Sequence, residues 1–188
     1  MSTRSPRRAR PPLDADTLNE LALRYVGRFA TTRSKLQSYL TRKLRERGWT
    51  GSSEPDPGAI AERLAGRGYI DDASYALSRS RTLTGRGYGK ARLVQSLRVA
   101  GVDEADSVAA RDHAETEAGA AALRFAQRRR IGPFATSIPD PKSRERLLAA
   151  MVRAGHSFTL SRFLVNLSPG AVVDPDELSA ATGYSDDK

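Results

Sequence analysis

Two adjacent carboxylates, Asp71 and Asp72, stand in the stretch GRGYIDDASYA at residues 66–76. A carboxylate pair can do general acid–base work, hold a divalent cation, or accept the orphan N–H groups at a helix start. Acid–base work needs a partner constellation, and none is nearby. His113 and His156 are isolated, and neither H-x3-H nor H-x2-E spacing occurs. Two carboxylates alone make a poor structural metal site. Aspartate is a preferred N-cap, and its charge suits the positive end of the helix dipole. The stretch therefore reads as a joint between helical units. Gly66 and Gly68 end one helix, Tyr69 and Ile70 plug the seam, and Asp71 or Asp72 caps the next helix. Gly68, Tyr69, Ile70, Asp71 and Asp72 are structural in this reading, and no catalytic, cofactor or metal site is expected.

The cations carry more chemistry. Residues 24–47 hold Arg24, Arg28, Arg33, Lys35, Arg42, Lys43, Arg45 and Arg47 against Glu46 alone. Residues 79–98 hold Arg79, Arg81, Arg86, Lys90, Arg92 and Arg98 with no acid. Solvated helix surfaces usually mix signs, so these clusters point to a polyanion or an acidic groove. Arginine grips phosphate and carboxylate alike through two parallel N–H bonds, so charge alone does not separate a DNA backbone from an acidic protein face. The segment RFAQRRR, residues 124–130, is a basic helix end that also suits the negative end of a helix dipole.

TGRGYGK, residues 84–90, has the look of a phosphate loop. It lacks G-x4-G-K-[ST], since Ala91 follows Lys90, and no strand precedes it. It reads as a flexible turn between helices, with Tyr88 covering the helix seam rather than stacking on a base. Tyr25, Tyr75 and Phe125 read as core aromatics, Trp49 as a hydrophobic contact after a helix stop, His113 as exposed and His156 as a turn residue.

The elements that must position these residues are helical. Leu36, Leu40 and Leu44 fall at i, i+4 and i+8, and Gly48 follows as a stop. The pattern L-x3-[LM]-x3-G recurs from Leu40, Leu93 and Leu147, anchors 53 and 54 residues apart. Each copy is preceded by an alanine- and aromatic-rich segment (from Ala22, Ala73 and Ala122) and followed by a third apolar segment (from Ala59, Ala105 and Thr159). The expected organisation is three three-helix units at 13–70, 71–118 and 119–168. A Pro-rich insertion at 131–143 lengthens the loop between the first two helices of the third. One such unit is small for an independent core, and stacked neighbours can bury a continuous one. Residues 50–58 form a loop whose acids and serines are placed to cap the following helix. A disordered basic tail at 1–12 and a weakly acidic tail at 169–188 flank the array.

Bulk composition agrees with a polyanion partner. The 188 residues are 39% apolar and 28% charged, with 31 Lys and Arg against 22 acids and a net charge of +9. Cysteine is absent, which excludes disulfides and thiolate metal sites. No apolar run reaches the roughly 18 residues of a spanning helix, and no apolar region follows the paired arginines at the start. A cytoplasmic monomer with no membrane partner is expected.

The segment GYIDDASYALSRSRTLTGRGYGKARLVQSLRVAGV resembles the central part of the RecX regulatory-protein family. Its features are a Gly-Tyr-Ile-Asp-Asp joint, a Tyr-Ala helix, a glycine-containing turn, then L-x3-L-x3-G and an aliphatic residue. ALRYVGRFATTRSKLQSYLTRKLRERG is similar to the family's first unit, and the resemblance spans about residues 20–165. It implies an all-helical, elongated and curved array of three-helix units without enzymatic activity. It further implies docking in the groove of the RecA–DNA filament, with mostly inhibitory effects on recombinase, ATPase and strand-exchange activity in DNA repair and the SOS response. RecA and single- or double-stranded DNA are the implied partners. The rival reading is a free-standing DNA-binding protein acting through phosphate contacts.

Overall fold

The computed structural model describes residues 11–183. Ten α-helices and two short 3-10 turns account for its regular structure, and the described residues contain no β-strand. A single parallel bridge joins Leu13 to Trp49. The chain is all-α. It divides into two compact units, one ending at Asp72 and the other starting at Ala73.

The first unit holds α1 (Ala15–Val26), α2 (Arg33–Arg47) and α3 (Pro57–Gly66). Each helix starts on a polar side chain that accepts a backbone N–H three residues on. Asp14 accepts from Thr17, Thr32 from Lys35 and Asp56 from Ala59. Pro57 sits at the first helical position, where its missing N–H costs nothing. Leu18 and Ala22 of α1, Leu36 and Leu40 of α2, and Ile60 and Leu64 of α3 meet in one core, closed by Leu13 and Ile70. Trp49 packs against this core and donates its ring N–H to Ser53 O at 2.8 Å.

The second unit runs through α4 (which begins at Asp72 and ends at Gly85), α5 (Lys90–Ala100), α6 (Val108–Thr116), α7 (Ala118–Arg129), α8 (Pro141–Arg153), α9 (Phe158–Asn166) and α10 (Pro175–Thr182). Ala76, Leu83, Leu93, Leu97 and Ala110 form one cluster from α4, α5 and α6. A larger cluster gathers Phe125 and Ala126 of α7, Met151 of α8, Leu160 and Leu164 of α9, and Ile131. Tyr88 packs against both clusters, so it covers a seam as expected.

Two segments outside the recurring pattern are also packed. The acidic C-terminal stretch carries a two-turn helix, α10. Asp174 caps it, and Leu178 and Ala181 pack it onto the larger cluster. The 131–143 insertion is anchored, because Ile131 is fully buried and Phe134 packs beside it. The N-terminal arginines 4, 7, 8 and 10 and the acids at 186 and 187 lie outside the described residues.

Candidate polyanion-binding faces

The joint is built on a helix stop. Just past the end of α3, Gly68 stands at φ +78°, and the N–H groups there fold back: Gly68 N–H to Ala65 O at 2.8 Å and Tyr69 N–H to Leu64 O at 3.0 Å. A residue with a Cβ is disfavoured at that φ, which is why glycine stands there. Ile70 is buried as expected, but Tyr69 is 57% exposed and plugs nothing. The reason is geometric: consecutive residues leaving a helix point in different directions, and only Ile70 faces the core.

Of the two acids expected to cap α4, Asp72 turns elsewhere. It opens α4, yet its side chain, 2% exposed, turns to α2. One oxygen accepts the Arg33 backbone N–H and the other accepts Arg33 Nε, both at 3.1 Å. Asp72 thus serves the N-terminus of a helix 39 residues away, where free N–H groups and the dipole favour an anion. Arg33 lies 3.6 Å from Glu62 as well, with only 30% of its side chain exposed. Arg33 is tied to this joint instead of being presented to a polyanion.

Three other cations of α2 share a face. Lys35, Arg42 and Lys43 lie four before, three after and four after Tyr39, all on its side of the helix. Arg42 and Lys43 both ion-pair with Glu46. Arg45 is exposed and makes no ion pair among the described residues.

In the second unit the expected cations fall into two groups. Arg79 donates to Ser96 Oγ at 2.8 Å, a tie from α4 to α5, and Lys90 ion-pairs with Glu115. Arg92 donates to its helix neighbour Gln95 Oε1 at 2.8 Å. Arg81, Arg86 and Arg98 are exposed and make no ion pair among the described residues. No cluster of three or more His, Asp or Glu that could hold a metal occurs among the described residues. No described helix is long and apolar enough to cross a membrane.

No protein-family profile matches the chain. The regulatory protein RecX of Myxococcus xanthus (strain DK1622) is 32% identical over 176 residues, spanning 88% of this chain and 92% of the relative. The chain belongs to the RecX regulatory-protein family. The fold agrees. The crystal structure of RecX from Lactobacillus salivarius superimposes with a TM-score of 0.57 at 18% identity, over 80% of this chain and 93% of that one. A second crystal structure, of a regulatory protein RecX, gives 0.55 at 22% identity, over 80% of this chain and 70% of that one.

In this RecX-family chain the glycine turn at 84–90 is tied to the backbone of a distant turn. Gly89 N–H donates to Ala154 O at 3.0 Å and Ala91 N–H to Gly155 O at 3.1 Å, joining the start of α5 to the end of α8. A Cβ on Gly89 would lie 2.2 Å from Gly155 O, and one on Gly155 would lie 2.4 Å from Arg92 N. These glycines permit backbone to touch backbone. His156, expected in a turn, is 5% exposed. Its Nε2 donates to Gly87 O at 3.1 Å, leaving buried Nδ1 without a partner. Burial holds its pKa below the usual imidazole value, although the Gly87 bond works the other way. His113, expected to be exposed, is half-buried with Nδ1 3.1 Å from Ser80 Oγ. Arg124 and Arg128 of the basic run donate to Thr84 O and Arg86 O, so they bond the C-terminal carbonyls of α4.

Two residues not singled out from the sequence belong to the surface chemistry of the first unit. Tyr39 stacks on Tyr25 at 4.3 Å between centroids, and Phe29 sits 5.4 Å from Tyr25. The sequence signal was the ring of cations at helical spacing around Tyr39.

Proposed function

We infer that this chain is a non-enzymatic regulator that docks along the groove of the RecA–DNA filament and chiefly inhibits recombinase, ATPase and strand-exchange activity in DNA repair and the SOS response. The observation that carries the reading is the 32% identity to a regulatory protein RecX across nearly the whole of both chains. The exposed arginines Arg45, Arg81, Arg86 and Arg98 support it, since an acidic groove and a phosphate backbone both accept bidentate guanidinium. The three-helix sets at 13–70, 71–118 and 119–168 act as successive docking units. Binding then competes with filament rearrangement, and no bond is made or broken by the chain.

The test is the single-strand-DNA-dependent ATPase of the cognate RecA with this protein titrated in at low and high salt. Inhibition well below the recombinase concentration is expected. The triple variant Arg81→Glu, Arg86→Glu, Arg98→Glu should lose it while keeping its helical circular dichroism. Inhibition that appears only when the protein is abundant enough to coat the DNA identifies a free-standing DNA-binding protein instead.

A further inference from the structure

Where α5 ends and α6 begins, the second unit holds a cavity of about 310 Å³. That is near the lower end for small-molecule sites, about 300–1,000 Å³. Its apolar wall is Val94, Leu97 and Val102; Leu97 is buried and the two valines are half-buried. Its polar wall carries both signs. Arg98 and Arg111 line it, and so do Asp103 and Glu104, both exposed. Arg111 donates from Nη1 to Glu104 Oε1 at 2.7 Å, but its Nε is buried without an acceptor. The Glu104 side chain is 82% exposed, so the pair holds it weakly and it is open to a second donor.

A buried N–H without an acceptor is a cost that a ligand's oxygen removes. A carboxylate suits Arg111, because it can span the Nε and Nη2 edge of a guanidinium with two parallel bonds. Nucleic acid and acidic protein surfaces are poor ligands here, since each brings a row of negative charges against Asp103 and Glu104. A neutral apolar molecule leaves the buried N–H unmatched. One anion, one cation and an aliphatic body on a small frame describe the zwitterion of an aliphatic α-amino acid. The helix ends agree: the negative end of the α5 dipole and the positive end of the α6 dipole both border the cavity. We propose that this cavity binds a free aliphatic α-amino acid such as leucine. The carboxylate pairs with Arg111 and Arg98, the ammonium pairs with Glu104, and the side chain lies on Val94, Leu97 and Val102. Arg98 serves the filament reading as well. The site is therefore tested without recombinase and on Arg111 and Glu104, so either reading can fail alone.

The experiment follows amide chemical shifts of the isotope-labelled full chain during titration with small probes. The probes are L-leucine, N-acetyl-L-leucine (no ammonium), L-leucinamide (no carboxylate) and glycine (no aliphatic side chain). Leucine shifts the amides of residues 94–111 saturably. Each other probe binds about tenfold or more weakly, the loss expected for one charge-assisted bond or one buried aliphatic side chain. Arg111→Lys keeps the charge but not the guanidinium edge, and weakens leucine by about tenfold or more. Glu104→Gln changes an exposed side chain, weakens leucine to a similar degree and leaves N-acetyl-leucine unchanged. Amide shifts outside 94–111 that match wild type show that a variant is folded, and Glu104→Gln carries the test if Arg111→Lys is not. No saturable shift with leucine overturns the proposal, as does leucinamide binding like leucine or Glu104→Gln binding leucine like wild type. N-acetyl-leucine binding as tightly as leucine identifies a site for the C-terminus of a polypeptide, and the free-amino-acid proposal is then wrong.

Discussion

At Asp72 one carboxylate answers two donors of a single residue, the backbone N–H and the guanidinium of Arg33. Removing one partner of a buried pair leaves the other's charge uncompensated, which is costlier than never having the pair. Arg33 keeps 30% exposure, so the low end of the usual range applies. Asp72→Ala should destabilise the protein by about 3 kcal/mol in urea unfolding. Asp72→Asn should lose less, because its carbonyl can still accept the Arg33 N–H. His156 allows a second test at this scale. Its pKa lies below 6.5 in the folded state, so between that depressed value and 6.5 the unfolded chain binds a proton and the folded chain does not. Stability is therefore full above pH 6.5 and falls as pH drops below it, by at most about 1.4 kcal/mol per pH unit. Urea unfolding above and below pH 6.5 should show this slope, and His156→Phe should flatten it. That these residues matter was visible in the sequence only as isolated charges. Their partners lie 39 and 69 residues away.

Helices and their stops were legible. The i, i+4, i+8 leucines of α2, the recurring L-x3-[LM]-x3-G, and the Asp56 cap before Pro57 are all local, and local hydrogen bonds determine them. The shared glycine nevertheless serves different turns. After Gly101 and Gly155 the next N–H folds back on its helix, Val102 to Leu97 O and His156 to Met151 O. After Gly48 the chain runs extended to pair with Leu13. The α5–α8 contact is where an element-scale prediction falls. Gly89→Ala and Gly155→Ala each push a Cβ into backbone and should lower thermal stability by at least about 1–3 kcal/mol. Gly85→Ala, with open space around it, should be neutral or stabilising by up to about 1 kcal/mol. The packing of α10 escaped the sequence reading because its apolar content is small, and only the surface it covers gives it purpose.

For the molecule as a whole, a net charge of +9 on a cysteine-free helical chain pointed to an anionic partner. How many cations are open to that partner is a separate matter. Arg33, Arg79 and Lys90 are tied down inside their units, while Arg81, Arg86 and Arg98 are open. Each phosphate contact releases counterions, so duplex affinity should fall with salt along a straight line in log–log form. Replacing Arg81, Arg86 and Arg98 by Gln should flatten that line by up to about 0.9 per arginine, whereas Arg79→Gln should leave it unchanged. Titrations of labelled duplex over a salt series measure both.

Periodicity, capping residues, glycine stops and charge were enough to indicate an all-helical chain, several of its helix stops and its basic character, because each depends on residues within a few positions of one another. The joint signature was also enough to suggest the family. Tertiary structure alone decided that Asp72 serves α2, that Tyr69 faces solvent and that Gly89 meets Gly155. It also decided that Phe29 and two tyrosines share one surface. Those outcomes depend on which distant helices pack together, and a cation's availability depends on whether that packing brings it an acid or a carbonyl.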